Sequence, residues 1–191
     1  MAEILEIRWH GRGGQGTVTA AKVFAEAVTA EGGNVQAFPE YGPERMGAPL
    51  RAYNRISSEP MTLHCQPMNP AVVAIVDPTI MDAVDVTEGA TDNAVYVVNT
   101  HRTPAEINER LQIKPGQKLF CVDANKISIE TIGRVMPNTP LLGAVVRATS
   151  VIKLETLLSD IRKSFGKKFA EKIIQANLDA ASRAYEEVKS L

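Results

Sequence analysis

A glycine-rich segment near the start of the chain is the strongest candidate for a binding function. It reads His-Gly-Arg-Gly-Gly-Gln-Gly-Thr at residues 10–17, between an apolar strand pattern and a helix pattern. Glycines allow the backbone to approach a ligand, and the N–H groups and dipole of a helix start attract phosphate. A guanidinium in the loop would add charge-assisted hydrogen bonds. The candidate phosphate-binding residues are Gly11, Arg12, Gly13, Gly14, Gln15 and Gly16. A tight turn without a ligand stays open as the alternative, because G-x-G-x-x-G alone is a weak pattern.

Two further segments could contribute to the same site. The segment from Glu40 to Pro49 is longer than a usual connection, and Glu44 and Arg45 place charges in it. Its alternative interpretation is a solvated loop. Residues 137–140 are predicted to begin a helix that runs from Leu141, with Asn138 or Thr139 as its N-cap, and the free N–H groups there could meet a second anionic group.

The remaining polar candidates have a structural interpretation. We interpret His10 as a strand-end histidine satisfied by the backbone, and His64 and His101 as isolated side chains without metal-ligand spacing. Cys65 and Cys121 form no C-x-x-C pair, so the sequence predicts free thiols and no metal or cluster site built from cysteines. Three polar residues follow buried strands and either bind a ligand or cap the next helix. They are Asp77, Asn99 and Asp123.

Composition narrows the class of protein. The chain has 191 residues, of which 45% are hydrophobic and 23% charged, and its formal net charge is −1. This balance gives no reason to expect a nucleic-acid partner. No apolar run reaches the roughly 20 residues of a membrane span, and the first residues lack the basic start of a signal peptide. We therefore expect a cytoplasmic protein with no membrane partner.

The pattern of elements predicts an α/β fold. We expect a single Rossmann-like domain over residues 1–191, with a mainly parallel sheet flanked by helices. We also expect an antiparallel strand pair at the sheet margin, over residues 50–56 and 61–65, and a long C-terminal helix over 169–188. Other predicted strands cover residues 4–9, 34–38, 72–76, 94–98 and 119–122. Other predicted helices start near residue 18 and cover 78–84, 104–111, 127–135, 141–148 and 154–164.

Three motifs together resemble one family. They are His-Gly-Arg-Gly-Gly-Gln-Gly at 10–16, Phe-Pro-Glu-Tyr-Gly-Pro-Glu-Arg-Met-Gly-Ala-Pro at 38–49 and Asn-Thr-Pro-Leu-Leu-Gly-Ala at 138–144. In order and separation they resemble the gamma subunit of 2-oxoacid:ferredoxin oxidoreductases, most closely of the pyruvate type. One residue departs from the family pattern, since Met46 stands where members often carry a second basic residue.

The resemblance implies an activity shared with alpha, beta and delta subunits. Thiamine diphosphate would sit in the alpha and beta subunits, and [4Fe–4S] clusters in beta and delta would pass electrons to ferredoxin. The assembly would convert pyruvate and coenzyme A to acetyl-CoA and CO2. The gamma chain would hold no cofactor alone, contribute no catalytic residue, and close the active site while supplying part of the coenzyme A pocket.

Several functions remain open alternatives. Branched-chain 2-oxoacids or 2-oxoglutarate could replace pyruvate as the substrate. From another class, the chain could be a stand-alone dinucleotide-binding dehydrogenase, with Glu40 as the ribose-binding acid. A module that binds coenzyme A or nucleotides without chemistry is the third possibility.

Overall fold

The fold is organised around a seven-stranded sheet with six α-helices in the part of the chain that the structure describes. The structure is a computed structural model, and it describes residues 4–40, 47–63, 65–166 and 168–191. In chain order the elements are β1 (Ile4–Arg12), α1 (Thr17–Ala30), β2 (Asn34–Glu40), β3 (Pro49–Ser57), β4 (Val72–Ile75), a 3-10 helix (Pro78–Asp82), β5 (Val95–Asn99), α2 (Pro104–Leu111), β6 (Lys118–Val122), α3 (Ala124–Ile132), α4 (Asn138–Thr149), α5 (Leu154–Gly166), α6 (Glu171–Glu187) and β7 (Lys189–Ser190).

The sheet has a parallel centre and antiparallel margins, which confirms the predicted fold class. Its strand order is β2-β3-β1-β4-β5-β6-β7. Strands β1, β4, β5 and β6 run parallel, whereas β3 is antiparallel to both β1 and β2, and β7 is antiparallel to β6. The parallel strands are mostly buried on both faces, as their continuous apolar sequences predicted.

The predicted partner of the margin strand is wrong. β3 contains residues 50–56 but pairs with β2, whereas residues 61–63 and 65 form no strand. Side chains of the β2–β3 hairpin instead hydrogen-bond to backbone carbonyls of this segment. Gln36 Nε2 donates to the Leu63 carbonyl, and Arg55 Nη2 donates to the Cys65 carbonyl, each at 3.0 Å. The segment therefore crosses one face of the hairpin rather than extending the sheet.

The two faces of the sheet are covered unequally. Helices α1, α3, α4, α5 and α6 pack on one face around a large apolar cluster, and the 3-10 helix and α2 cover a smaller cluster on the other. Helix α6 is shorter than predicted, and Phe169 and Ile173, which lie within the predicted helix, are 42% and 41% exposed. The α6 residues that are buried are Ile174, Asn177, Leu178, Ala180, Ala181 and Ala184. No helix in the described ranges has the length and apolar character that a bilayer crossing needs.

A buried polar link joins β1, β3 and α1. The indole Nε1 of Trp9 donates to Asn54 Oδ1 at 2.7 Å, and Asn54 Nδ2 donates to the Ala21 carbonyl at 2.9 Å. Trp9 also packs edge-on against Phe24, with ring centroids 5.9 Å apart. The oxygen and the nitrogen of the fully buried Asn54 side chain thus both have hydrogen-bond partners, as buried polar groups require.

Helices α4 and α6 approach each other closely at Gly143. A Cβ on this glycine would lie 1.9 Å from the Ala181 carbonyl oxygen, so Gly143→Ala must push the helices apart. We expect it to lower the free energy of unfolding by about 3 kcal/mol, measured by urea denaturation. Gly166→Ala is the matched control, because its Cβ meets nothing within 4 Å. A Gly143→Ala protein as stable as that control would contradict the packing described.

Candidate functional site

The glycine-rich segment lies where two chain paths diverge from the sheet. The chain leaves β1 towards α1 on the larger-cluster face and leaves the adjacent parallel strand β4 towards the 3-10 helix on the other face. In open α/β sheets, ligands bind in the crevice at the carboxyl ends of strands where such a divergence occurs. The fold therefore places residues 11–16 at a position suited to binding a ligand.

Asp77 ties the two diverging segments together. Gln15 Nε2 donates to its carboxylate at 2.5 Å, and Arg12 Nε lies 3.6 Å from the same oxygen. The other carboxylate oxygen accepts from the backbone N–H and hydroxyl of Thr79 at 2.9 and 2.7 Å. Burial raises the pKa of Asp77, but hydrogen bonds from Gln15 and Thr79 and the charge of Arg12 outweigh it and hold the pKa below its usual value. An ionised carboxylate thus fixes the glycine-rich loop.

Arg12 lies across the mouth of the loop and already has partners. Its Nε donates to the Thr79 hydroxyl at 2.9 Å and its Nη1 donates to the Gly47 carbonyl at 3.0 Å. The backbone N–H of Arg12 donates to Gln15 Oε1, which closes the turn on itself. Because a guanidinium has five N–H donors, Arg12 keeps further donors for a ligand.

Gly11, Gly14 and Gly16 each have a structural reason to be glycine. A Cβ on Gly11 would lie 1.9 Å from Thr17 Oγ1, so α1 could not start directly above the end of β1. Gly14 and Gly16 have φ values of +92° and +76°, in the left-handed region. Gly13 exchanges backbone hydrogen bonds with Ala48 and Gly47, at 3.0 and 3.2 Å. The loop is therefore a shaped turn whether or not a ligand is bound.

Two helix N-termini meet beside this turn. Helix α1 starts at Thr17 and α4 starts at Asn138, and no side chain among the described residues hydrogen-bonds at the cap of either helix. A Cβ on Gly16 would lie 2.8 Å from Asn138 Cγ, which shows how close the two starts are. The positive ends of both dipoles and uncapped N–H groups converge there, and this combination favours an anion.

The structure corrects the predicted role of Asn138. Pro137 occupies the cap position of α4, so neither Asn138 nor Thr139 is the N-cap. Both side chains are buried, and Asn138 Oδ1 has no hydrogen-bond partner in the described part of the chain. The start of α4 lies against Gly16 through the Asn138 side chain, so this residue has a packing role instead of a capping one.

Glu44 and Arg45 lie outside the described residues, as do Met46 and His64. The ends of the segment that carries Glu44 and Arg45 are described. Glu40 closes β2, and Gly47 and Ala48 bond to the glycine-rich loop through Gly13. The two sequence motifs that carry Gly13 and Gly47 are therefore in direct contact.

His10 differs from its predicted interpretation. Its carbonyl accepts from the Val76 N–H at 2.7 Å, but neither ring nitrogen has a hydrogen-bond partner in the described part of the chain, although the residue is only 1% exposed. Burial and the charges of Arg8 and Arg51 lower its pKa to about 3, against a smaller opposing effect of Asp85. The backbone thus does not satisfy this side chain, and position at a strand end could not reveal that.

The other candidates mostly have the structural roles expected. Asp77 and Asp123 cap the helices that follow them, and Asn99 Nδ2 donates to the Val76 carbonyl at 2.8 Å. Cys65 and Cys121 are free, and burial raises the pKa of Cys121 to about 12. His101 is exposed. No group of three or more histidine, cysteine or acidic side chains within the described ranges could hold a metal ion.

Glu40 is not placed as the ribose-binding acid of a dinucleotide fold. Strand β3 lies between β1 and the β2 strand that ends in Glu40. Its Oε2 accepts from the Tyr53 hydroxyl at 2.5 Å and from Gln66 Nε2 at 2.8 Å. A dinucleotide site needs the acid on a strand adjacent to the glycine-rich strand, so this arrangement disfavours the dehydrogenase alternative.

The role of Asp77 can be tested by pH-dependent unfolding. Because its folded pKa lies below the unfolded value, its stabilising effect is present above about pH 4 and is lost as pH falls through the folded pKa. We expect Asp77→Asn to lower the free energy of unfolding by about 1.5 kcal/mol at pH 7 and by progressively less below pH 4. Asp82→Asn, at an exposed ion pair with Arg110, is the control and should change stability by less than about 0.5 kcal/mol. If the difference in unfolding free energy between wild type and Asp77→Asn does not shrink on acidification, the ionised Asp77 carboxylate does not stabilise the loop.

Comparisons with known proteins agree with the three sequence motifs. The family model described as pyruvate ferredoxin/flavodoxin oxidoreductase matches residues 6–187. The "Pyruvate/ketoisovalerate oxidoreductases common subunit gamma" of Pyrococcus furiosus is 45% identical over 186 residues, covering 97% of this chain and 98% of that protein. The crystal structure of the pyruvate oxidoreductase subunit PORC of Thermotoga maritima superposes with a TM-score of 0.87 at 41% identity, covering 98% of each chain.

A more distant structure shares the fold alone. The 2-oxoglutarate:ferredoxin oxidoreductase of Magnetococcus marinus, solved with 2-oxoglutarate, coenzyme A and succinyl-CoA bound, gives a TM-score of 0.78 at 22% identity. The match covers 96% of this chain and 31% of that longer one. With the family match over nearly the whole chain and relatives above 40% identity, the resemblance inferred from the motifs is confirmed. The chain belongs to the pyruvate ferredoxin/flavodoxin oxidoreductase family.

Proposed function

We propose that this chain is the gamma subunit of a multi-subunit, cytoplasmic 2-oxoacid:ferredoxin oxidoreductase that acts on pyruvate. Residues 1–191 form one gamma-type domain, which assembles with alpha, beta and delta subunits. Thiamine diphosphate and [4Fe–4S] clusters belong to those partners, which reduce ferredoxin. The role of this chain is to close the active site and to bind part of coenzyme A.

The convergence of the α1 and α4 starts beside Gly16 is the observation that carries the proposal. Coenzyme A carries several phosphate groups, and uncapped N–H groups at two helix starts are complementary to them. The position at the β1 and β4 strand ends is also the one that α/β folds use for ligands. The Magnetococcus marinus enzyme, which contains this fold, was solved with coenzyme A bound, and this supports the choice of ligand.

The residues present fit a phosphate group. Within the described residues a Cβ on Gly14 meets nothing within 4 Å, and the buried Asn138 side chain lies against Gly16 of the same loop. We propose that residues 11–16 and Asn138 surround the phosphate, and that Glu44 and Arg45 complete the pocket from the second loop. When bound, coenzyme A supplies the thiol that receives the acyl group.

Arg12 would add a positive charge to the pocket, beside the positive ends of the two helix dipoles. Its side chain is 28% exposed and is held in place by Asp77, Thr79 and Gly47 rather than by a ligand. A held guanidinium with spare N–H donors is pre-organised, so little conformational entropy is lost when a phosphate arrives. Asp77 thus positions Arg12 without touching the ligand.

The proposed location of the cofactors on the partner subunits gives the first test of function. We expect the purified chain to show no 2-oxoacid-dependent reduction of viologen dyes, even with thiamine diphosphate and coenzyme A added, because the reaction needs the cofactors of its partners. Adding it to the other three subunits should restore coenzyme A-dependent turnover. Parallel assays with pyruvate and 3-methyl-2-oxobutanoate would establish the preferred substrate, which we expect to be pyruvate. Full activity of the three subunits without this chain would refute the proposal.

Substitution of the two loop arginines tests the coenzyme A pocket. In the assembled enzyme, Arg12→Ala and Arg45→Ala should each remove a charge-assisted contact worth about 1.5–3 kcal/mol. The Michaelis constant for coenzyme A should then rise about ten- to hundredfold if it tracks binding. Thiamine diphosphate affinity and the decarboxylation step that does not need coenzyme A should change little.

Arg110→Ala is the matched control, because the Arg110 guanidinium on α2 pairs with Asp82 of the 3-10 helix and forms no hydrogen bond to the glycine-rich loop within the described residues. Thermal unfolding of each variant separates loss of binding from loss of structure. If both loop variants keep the wild-type dependence on coenzyme A, the loop is only a structural turn.

A further inference from the structure

A second cleft lies on the other face of the sheet, beside the 3-10 helix. It has a volume of about 240 Å³ and contains three polar side chains, from His10, Arg51 and Glu40. The remaining lining residues are Pro49, Leu50, Ile80 and Val84. Drug-sized ligands occupy pockets of roughly 300–1,000 Å³, so this cleft suits a smaller molecule.

The polar side chains form a row across three strands. In the antiparallel registers His10 of β1 lies opposite Arg51 of β3, which lies opposite Glu40 of β2. Side chains at paired positions share one face of the sheet, so the row forms one wall of the cleft. Arg51 is partly buried and forms no salt bridge within the described residues.

His10 is the unexplained group in this row. A neutral imidazole has one donor and one acceptor, and a buried polar group left without partners is destabilising. With its pKa lowered to about 3, the ring stays neutral at physiological pH and presents one N–H. Neither ring nitrogen is exposed to solvent, so a ligand must displace neighbouring side chains to reach them.

We propose that this cleft binds a small aliphatic monocarboxylate. The carboxylate would accept from the His10 N–H and from the Arg51 guanidinium, and the aliphatic part would pack against Leu50, Ile80 and Val84. Glu40, already bonded to Tyr53 and Gln66, places a negative charge on the same wall and disfavours ligands with a second anionic group. This cleft adjoins the glycine-rich loop, since Leu50 and Pro49 pair with Gly11 and Arg12, but the proposal does not depend on the coenzyme A proposal.

The full-length chain can be tested directly by NMR, because it has three histidines whose ring signals are separable by mutation. Isobutyrate is the probe, and isobutyramide is its neutral isostere. We expect saturable shifts of the His10 ring signals and intermolecular NOEs from the isobutyrate methyl groups to Ile80 or Val84. Isobutyramide should bind at least tenfold more weakly.

Variants distinguish the site from general effects. Arg51→Gln should weaken isobutyrate binding about tenfold or more, whereas exposed Arg134→Gln should leave it unchanged. His10→Gln should also weaken it, and exposed His101→Gln should not. If a variant fails to fold, the NOEs in the wild-type chain still decide the question.

Three results would overturn the proposal. They are the absence of a saturable His10 shift, equal binding of isobutyramide, and isobutyrate binding that Arg51→Gln leaves unaffected. Coenzyme A is tested in the same way. If it shifts His10 and competes with isobutyrate, the cleft is part of the coenzyme A pocket, and the separate site is rejected while the proposed function stands.

Discussion

The ionised Asp77 carboxylate is the contact on which the geometry of the site depends. Two segments leave neighbouring strands towards opposite faces of the sheet, and nothing in the sheet itself fixes their distance. Asp77 bonds to Gln15 on one side and to Thr79 on the other, and it lies beside Arg12. A partly buried carboxylate with several donors is costly to displace, so the glycine-rich turn is held in place before any ligand arrives.

Much of the fold could be predicted because the apolar pattern is strong where the strands are parallel. Strands β4, β5 and β6 are buried on both faces and stand out as continuous apolar segments. The bounds of α2 were also predictable, because Thr103 and Glu106 form a capping box there. The strand pairing at the sheet margin could not be predicted, because a half-polar strand pattern does not identify the partner strand. The carbonyls of Leu63 and Cys65 accept hydrogen bonds from side chains that a local pattern cannot reveal.

The site was predictable in position and only partly in contacts. Glycine spacing located the turn, and residues 138–144 supplied the second helix start. The pairing of Arg12 with Asp77 joins residues far apart in sequence, and Asn138 adopts a packing role that its residue type does not indicate. The sequence could not show that the His10 ring lacks a hydrogen-bond partner among the described residues, because its environment comes from β3 and the 3-10 helix. Such properties depend on tertiary neighbours rather than on local sequence.

The bonds that Asn54 makes to Trp9 and Ala21 also protect the hairpin against misfolding. A displacement of β3 by one residue would turn Asn54 away from the core and bring Tyr53 or Arg55 beneath α1. The indole N–H of Trp9 would then lack its acceptor inside an apolar cluster, at a cost of about 1–3 kcal/mol. A polar side chain thus favours the native register of β3 over the register shifted by one residue. It does so at the margin of the sheet, where the apolar pattern specifies the register least.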